Sequence, residues 1–191
     1  MQINKFDDTS RILVVSQSHT AVDNIIEGLV DIDEGKLDII RIGRAENISP
    51  KVEETCTMNA IRKKMFTEIK EKSNTYIEHQ NLLYANITEQ KSLDRWERIK
   101  DIQADWINRC SNLETLDYQV IKSATIIAGT CVGFLSNDFV KELDFDYVII
   151  DEAAKATTPE LLVSIIKSKK IILVGDQNQL PAYADQELSP I

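Results

Sequence analysis

The sequence predicts an α/β protein built on an open parallel β-sheet. Three observations lead there. Five short runs made mainly of Ile, Val and Leu show no strict alternation, the pattern of strands covered by helices on both faces. Segments with helical apolar spacing lie between several of these runs, which implies right-handed β–α–β crossovers. One long stretch, Lys51 to Ala128, holds no Gly and no Pro, a composition that favours long helices and interrupts the rhythm.

In chain order, the first strand is predicted at Ile12–Ser16. A helix follows over Ala21–Val30, where Val22, Ile25, Ile26 and Leu29 fall on one face. The second strand is Leu37–Ile42. The Gly- and Pro-free stretch then reads as two long helices folded into an antiparallel hairpin, with a break near Gln90–Ser92. Its seam is marked by Ile61, Met65, Ile69, Tyr76, Leu83 and Ile87 on one side, and by Trp96, Ile99, Trp106, Cys110 and Leu113 on the other. Charges of both signs are mixed along the two helices, as on a solvated surface. The remaining strands are Thr125–Thr130, Tyr147–Asp151 and Lys170–Gly175, with a short helix over Leu161–Lys167. The expected organisation is a sheet domain in two parts, 1–50 and 119–191, with the helical hairpin 51–118 inserted between them.

Charge and composition narrow the function. Over 191 residues the net charge is −9, which excludes a dominant basic tail or polybasic membrane patch but leaves room for a local basic groove. No apolar run is long enough to cross a bilayer, and the N-terminus lacks the apolar stretch of a signal peptide. Cys56, Cys110 and Cys131 are scattered, without metal-ligand spacing, so a reduced, cytoplasmic setting is expected and a zinc site is not.

Four segments carry the chemistry. Tyr147-Val148-Ile149-Ile150-Asp151-Glu152 drives a strand into the core and delivers two carboxylates at its carboxyl end, the edge where open α/β sheets bind ligands. One carboxylate there can hold a hydrated Mg²⁺ and the next can orient and deprotonate a water; taken alone, the hexapeptide also fits an acidic strand end turning into a loop. Ile171–Val174 is followed by Gly175-Asp176-Gln177-Asn178-Gln179-Leu180-Pro181, and the Gln179 amide can donate to a phosphate oxygen while accepting from a water. Ile12–Ser16 leads into Gln17-Ser18-His19-Thr20 and then a helix, with Thr20 and Asp23 at capping-box spacing. Free N–H groups at such a helix start, with the Ser18 and His19 side chains, suit a phosphate. Ile126–Ala128 ends in Gly129-Thr130-Cys131-Val132-Gly133, a Gly-flanked turn whose amides and Thr130 hydroxyl also suit one. Cys131 fits a small buried residue better than a nucleophile.

In this order the four segments resemble the Upf-like group of superfamily 1 helicases. "QSHTAVDNIIEGL" is similar to their motif Ia, "IIAGTCVGF" to motif Ic, "DYVIIDEAAKATTPELL" to motif II (the Walker B box) and "KIILVGDQNQLPA" to motif III. The resemblance runs nearly end to end, and the helical stretch sits where that group carries an insert. It implies a RecA-like P-loop NTPase sheet, incomplete here, in an ATP- and Mg²⁺-dependent motor acting on single-stranded DNA or RNA. Carried over by residue, Asp151 would hold Mg²⁺ through water, Glu152 would act as general base, and Gln179, with Asp176 nearby, would sense the γ-phosphate. Gln17, Ser18, His19, Thr20, Thr130, Cys131 and Gly133 would line the nucleic-acid path.

Two departures stand out. Lys155 occupies a position where many members carry Gln. No G-x-x-x-x-G-K-[ST] occurs, and none of the six glycines fits one. In the family that phosphate loop precedes motif Ia, and a second motor domain with arginine fingers follows motif III. The sequence is therefore expected to be the middle of a first motor domain, inactive alone, with its motif III strand left as an apolar edge open to self-association or to covering by Gln2–Phe6 or the tail. The alternative is a nucleic-acid-binding or protein-interaction module without ATPase activity.

Overall fold

The structure, a computed structural model, describes residues 10–33, 37–84, 90–110 and 113–176. Five strands, β1 (Ile12–Ser16), β2 (Ile39–Arg41), β3 (Ile126–Thr130), β4 (Phe145–Asp151) and β5 (Ser168–Leu173), form one sheet in the order β2-β3-β1-β4-β5. Every pairing is parallel, as the apolar, non-alternating runs require. This is the α/β sheet of the RecA-like type that the resemblance implies.

The chain forms two compact units, Met1–Met58 with Val120–Ile191, and Asn59–Gln119. In the first, β1 lies at the centre and all five of its residues are buried. One sheet face packs Ile12, Val14, Ile126 and Ala128 against Val22 and Ile26 of helix α1 (His19–Asp33) and Val52 and Cys56 of helix α2 (Pro50–Cys56). The alternate residues Leu13, Val15 and Ile127 are also inaccessible, so both faces are covered. α2 starts where Ser49 accepts from the Val52 N–H and Pro50 takes the first helical position, and it stops at the extended Thr57.

The second unit holds helix α3 (Met58–Tyr84), helix α4 (Gln90–Cys110) and most of helix α5 (Leu113–Ser123). α3 and α4 run antiparallel: Trp96 donates to Asn81, Gln103 to Ser73, and Ile69 lies across from Trp106. Trp96 is buried in this seam, while Trp106 is half exposed. The break is predicted near Gln90–Ser92; α4 begins at Gln90 and runs helical through Ser92, and residues 85–89, between α3 and α4, lie outside the described residues. Arg62 clasps Asp117 of α5 within the same unit.

β5 ends the sheet order, and among the described residues its one strand neighbour is β4. Ile171, Ile172, Leu173 and Val174 are 38–58% exposed along it, matching the apolar edge expected from the sequence. Gln2–Phe6 and the tail, expected as possible covers, lie outside the described residues. Among the described residues no helix is long and apolar enough to cross a membrane.

Candidate functional site

Parallel pairing in register brings the carboxyl ends of the three central strands together. Ser16 is the partner of Thr130 on one side and of Asp151 on the other. The turns that follow are tied to one another, with the Cys131 N–H donating to the Ser16 carbonyl at 3.1 Å. Three of the four sequence motifs thus meet on one edge of the sheet, the edge at which open α/β sheets bind ligands.

The fourth is stitched to β4. The Val174 N–H donates to Ile150 O at 2.8 Å, and the Ala153 N–H to Val174 O at 2.9 Å. A Cβ on Gly175 would lie 3.2–3.3 Å from the backbone nitrogens of Ala154 and Ala153, so a residue without one lets the two turns pass. Gly175 and Asp176 therefore emerge beside Asp151 and Glu152. Gln179 lies outside the described residues.

Asp151 is partly buried, and among the described residues nothing bonds its carboxylate. An uncommitted carboxylate at a strand end fits a hydrated Mg²⁺, which takes one or two protein carboxylates and fills its shell with water and phosphate oxygens. Among the described residues no cluster of three or more acidic, His or Cys side chains could hold a metal ion.

Glu152 adopts φ = 52°, in the left-handed region that a non-glycine residue occupies at a cost. Its carboxylate accepts from Lys155 Nζ at 2.7 Å, with longer contacts from Ser16 Oγ at 3.4 Å and Ser18 Oγ at 3.5 Å. The Lys155 hydrogen bond holds the Glu152 carboxyl below the usual range, against the opposing effect of burial. Stability from this contact is present above the ordinary carboxylate pKa and lost as pH falls through the lowered folded value. Lys155→Ala is expected to move the Glu152 midpoint upward in a carbon-detected NMR titration; an unmoved midpoint would remove Lys155 as the cause.

The loop after β1 differs from its expected form in one respect. α1 begins at His19, and its cap is Ser18, whose Oγ accepts from the Ala21 N–H at 3.1 Å. Thr20 is thus a first-turn residue and not the cap. Asp23 does not close a capping box, because it faces inward and binds Arg41 Nε at 2.7 Å and the Ser49 N–H at 2.7 Å. Ser18, Thr20 and Gln17 are exposed and His19 is half-buried. Gln17 donates to Glu160 of helix α6 (Thr158–Ile165), whose carboxylate also takes the Thr157 N–H and hydroxyl and is held below its usual range chiefly by that N–H.

After β3, Thr130 Oγ1 accepts from the Gly133 N–H at 3.1 Å. A Cβ at Gly133 would stand 2.2 Å from that oxygen, so the turn has no room for a side chain there. Cys131 is buried, and burial pushes its thiol up to about 11, with the Glu160 charge adding to the effect. Its N–H serves Ser16 and its carbonyl accepts from Ser164, so its backbone shapes the turn.

Sequence reasoning missed two groups. One is Lys155 on Glu152. The other is the buried set Asp23, Arg41 and His19, for which the signal was a lone arginine inside the apolar run Ile39–Ile42 and an aspartate next to Val22 on the apolar face of a helix.

A parallel sheet that presents an acidic pair beside polar turns at the carboxyl ends of its central strands has the architecture of a RecA-like motor domain. The AAA_11 family model, described as an AAA domain, matches residues 1–186, and the chain belongs to that family. It is 26% identical to an ATP-dependent helicase, MJ0104, of Methanocaldococcus jannaschii, over 90% of the chain and 30% of that protein. It is 28% identical to the DNA replication ATP-dependent helicase/nuclease DNA2 of Gallus gallus, over 89% of the chain and 12% of that protein. It is likewise 28% identical to the ATP-dependent helicase NAM7 of Saccharomyces cerevisiae, over 89% of the chain and 15% of that protein. These relatives and the family match identify an Upf-like superfamily 1 helicase motor domain, of which the chain spans 12–30% of the curated relatives' length.

Proposed function

We propose that the chain is part of an ATP- and Mg²⁺-dependent cytoplasmic motor that moves along single-stranded DNA or RNA. The observation that carries this is the register of β3, β1 and β4, which sets Thr130, Ser16 and Asp151 side by side. Asp151 would hold Mg²⁺ through water, Glu152 would activate the attacking water, and Asp176 and Gln179 would face the γ-phosphate. Gln17, Ser18, His19, Thr20, Thr130, Cys131 and Gly133 would line the path of the nucleic-acid backbone. Residues 1–50 and 119–191 would form the motor core and 51–118 the insert, whose first helix lends Val52 and Cys56 to the core.

Backbone contacts of this kind carry no sequence code, which suits translocation on any strand. The −9 net charge predicts weak, salt-sensitive binding. Fluorescence anisotropy with labelled single strands at two salt concentrations is expected to show binding that weakens as salt rises; salt-independent or undetectable binding would overturn the nucleic-acid part. Light scattering on the same samples should show association through β5, and a strict monomer would overturn that part. A protein-interaction module without ATPase activity is the second reading, favoured by exposed Tyr76, Ile102 and Trp106 along the α3–α4 groove.

A further inference from the structure

We propose that Arg41 is a positioning residue: it fixes the His19 ring as its neutral Nε2–H tautomer and so presents a rigid, uncharged N–H donor to a phosphate at the start of α1. This role for Arg41 presupposes the nucleic-acid reading above.

The geometry allows little else. The Arg41 side chain is wholly inaccessible, although it lies in a strand of isoleucines. A guanidinium has five N–H donors and no acceptor, and it is always charged. Nε donates to Asp23, NH1 to the Ile42 carbonyl, and NH2 lies 3.1 Å from His19 Nδ1. Since the arginine can only donate, Nδ1 must offer its lone pair, and the ring proton resides on Nε2.

The arginine is itself held in place. The second Asp23 oxygen takes the Ser49 N–H at 2.7 Å, so the carboxylate cannot swing away. Gly43 passes so close that a Cβ there would lie 3.1 Å from Arg41 NH1. His19 is only half-buried, and the edge turned from the guanidinium carries Nε2. An imidazole held this way keeps one orientation before any ligand arrives, so less order is lost when a phosphate binds.

The neutral state gives the proposal a signature that a merely structural arginine would not. An uncharged donor strengthens binding without neutralising a phosphate, so its loss weakens affinity and leaves the salt slope unchanged. In long-range ¹H–¹⁵N spectra of the wild-type chain near pH 7.5, with His79→Gln used to assign the two rings, His19 is expected to show an unprotonated Nδ1 and a protonated Nε2. An Nδ1–H or averaged pattern would overturn the proposal. Arg41→Lys, which cannot serve three acceptors from one fixed plane, is expected to give mixed tautomers wherever it folds; a pure Nε2–H pattern in that folded variant would also overturn it.

His19→Ala is expected to weaken single-strand binding roughly 2- to 10-fold, the loss of one neutral hydrogen bond, with the slope of log K against log salt unchanged. A slope shallower by about 0.7 would mean that His19 binds as a cation and would overturn the proposal. Wild-type chain with the expected tautomer but no oligonucleotide binding would overturn the nucleic-acid reading and the phosphate role, while upholding the Arg41–His19 lock.

Discussion

Given ATP and Mg²⁺, the 191-residue chain by itself is expected to release no phosphate above background. Asp151 ends β4 with a carboxylate that nothing among the described residues bonds, and Glu152 follows in a left-handed conformation beside it. Yet a carboxylate base acts only on a water already aligned with a γ-phosphate, so positioning comes first. In P-loop enzymes that positioning comes from backbone amides and a lysine of the G-x-x-x-x-G-K-[ST] loop, which this sequence does not contain. Electrostatic clamps on the transferred phosphoryl group are large effects; an arginine finger alone is worth about 10³–10⁵ in rate. Lys155 adds to the deficit, because a carboxylate paired with an ammonium is a poorer base than a free one. A colorimetric phosphate assay tests this. Mg²⁺-dependent release that disappears in Glu152→Gln would show that the chain grips a triphosphate by other means.

Much of the architecture was legible in the sequence because strand burial leaves a strong mark. Ile12–Ser16 was found to the residue, and the other four strands within a few residues; β1 and β3 are apolar because the sheet is covered there, while the exposed edge β5 was legible through its Ile171–Leu173 run. The meeting of three motifs at one edge followed from parallel topology alone. The details that failed are those decided by a choice among similar local options. Ser18 and Thr20 are both competent caps, and the tertiary pull of Arg41 on Asp23 removed the box that would have favoured Thr20. Lys155 reaches Glu152 because Glu152 takes a left-handed turn, a backbone state that no residue type announces except glycine.

Removing either member of the Asp23–Arg41 pair is expected to cost about 3–5 kcal/mol, the range for breaking a buried ion pair, and far more than any surface substitution in this chain. The two side chains are 5% and 0% exposed, so whichever is left behind keeps its charge away from water with no counterion. Asp23→Ala strands the guanidinium on the Ile42 carbonyl and the His19 ring, and takes from Ser49 the acceptor of its N–H. Arg41→Met leaves the carboxylate with the Ser49 N–H alone. The damage reaches beyond the pair, because Asp23 joins α1 to the turn before α2 while Arg41 joins α1 to β2. Both of the site's expected phosphate donors on α1, His19 and Thr20, stand on that helix. The double variant Asp23→Ala/Arg41→Met is expected to lose much less than the sum of the two single changes, since no orphaned charge remains and the flanking Val22, Ile26 and Ile40 are apolar. The exposed pair Lys51–Asp31 supplies the control, and its loss should leave the urea midpoint unchanged. Urea titrations of the four variants decide the matter. Additive losses in the double variant would mean that the two residues stabilise the fold through their separate packing and not through each other.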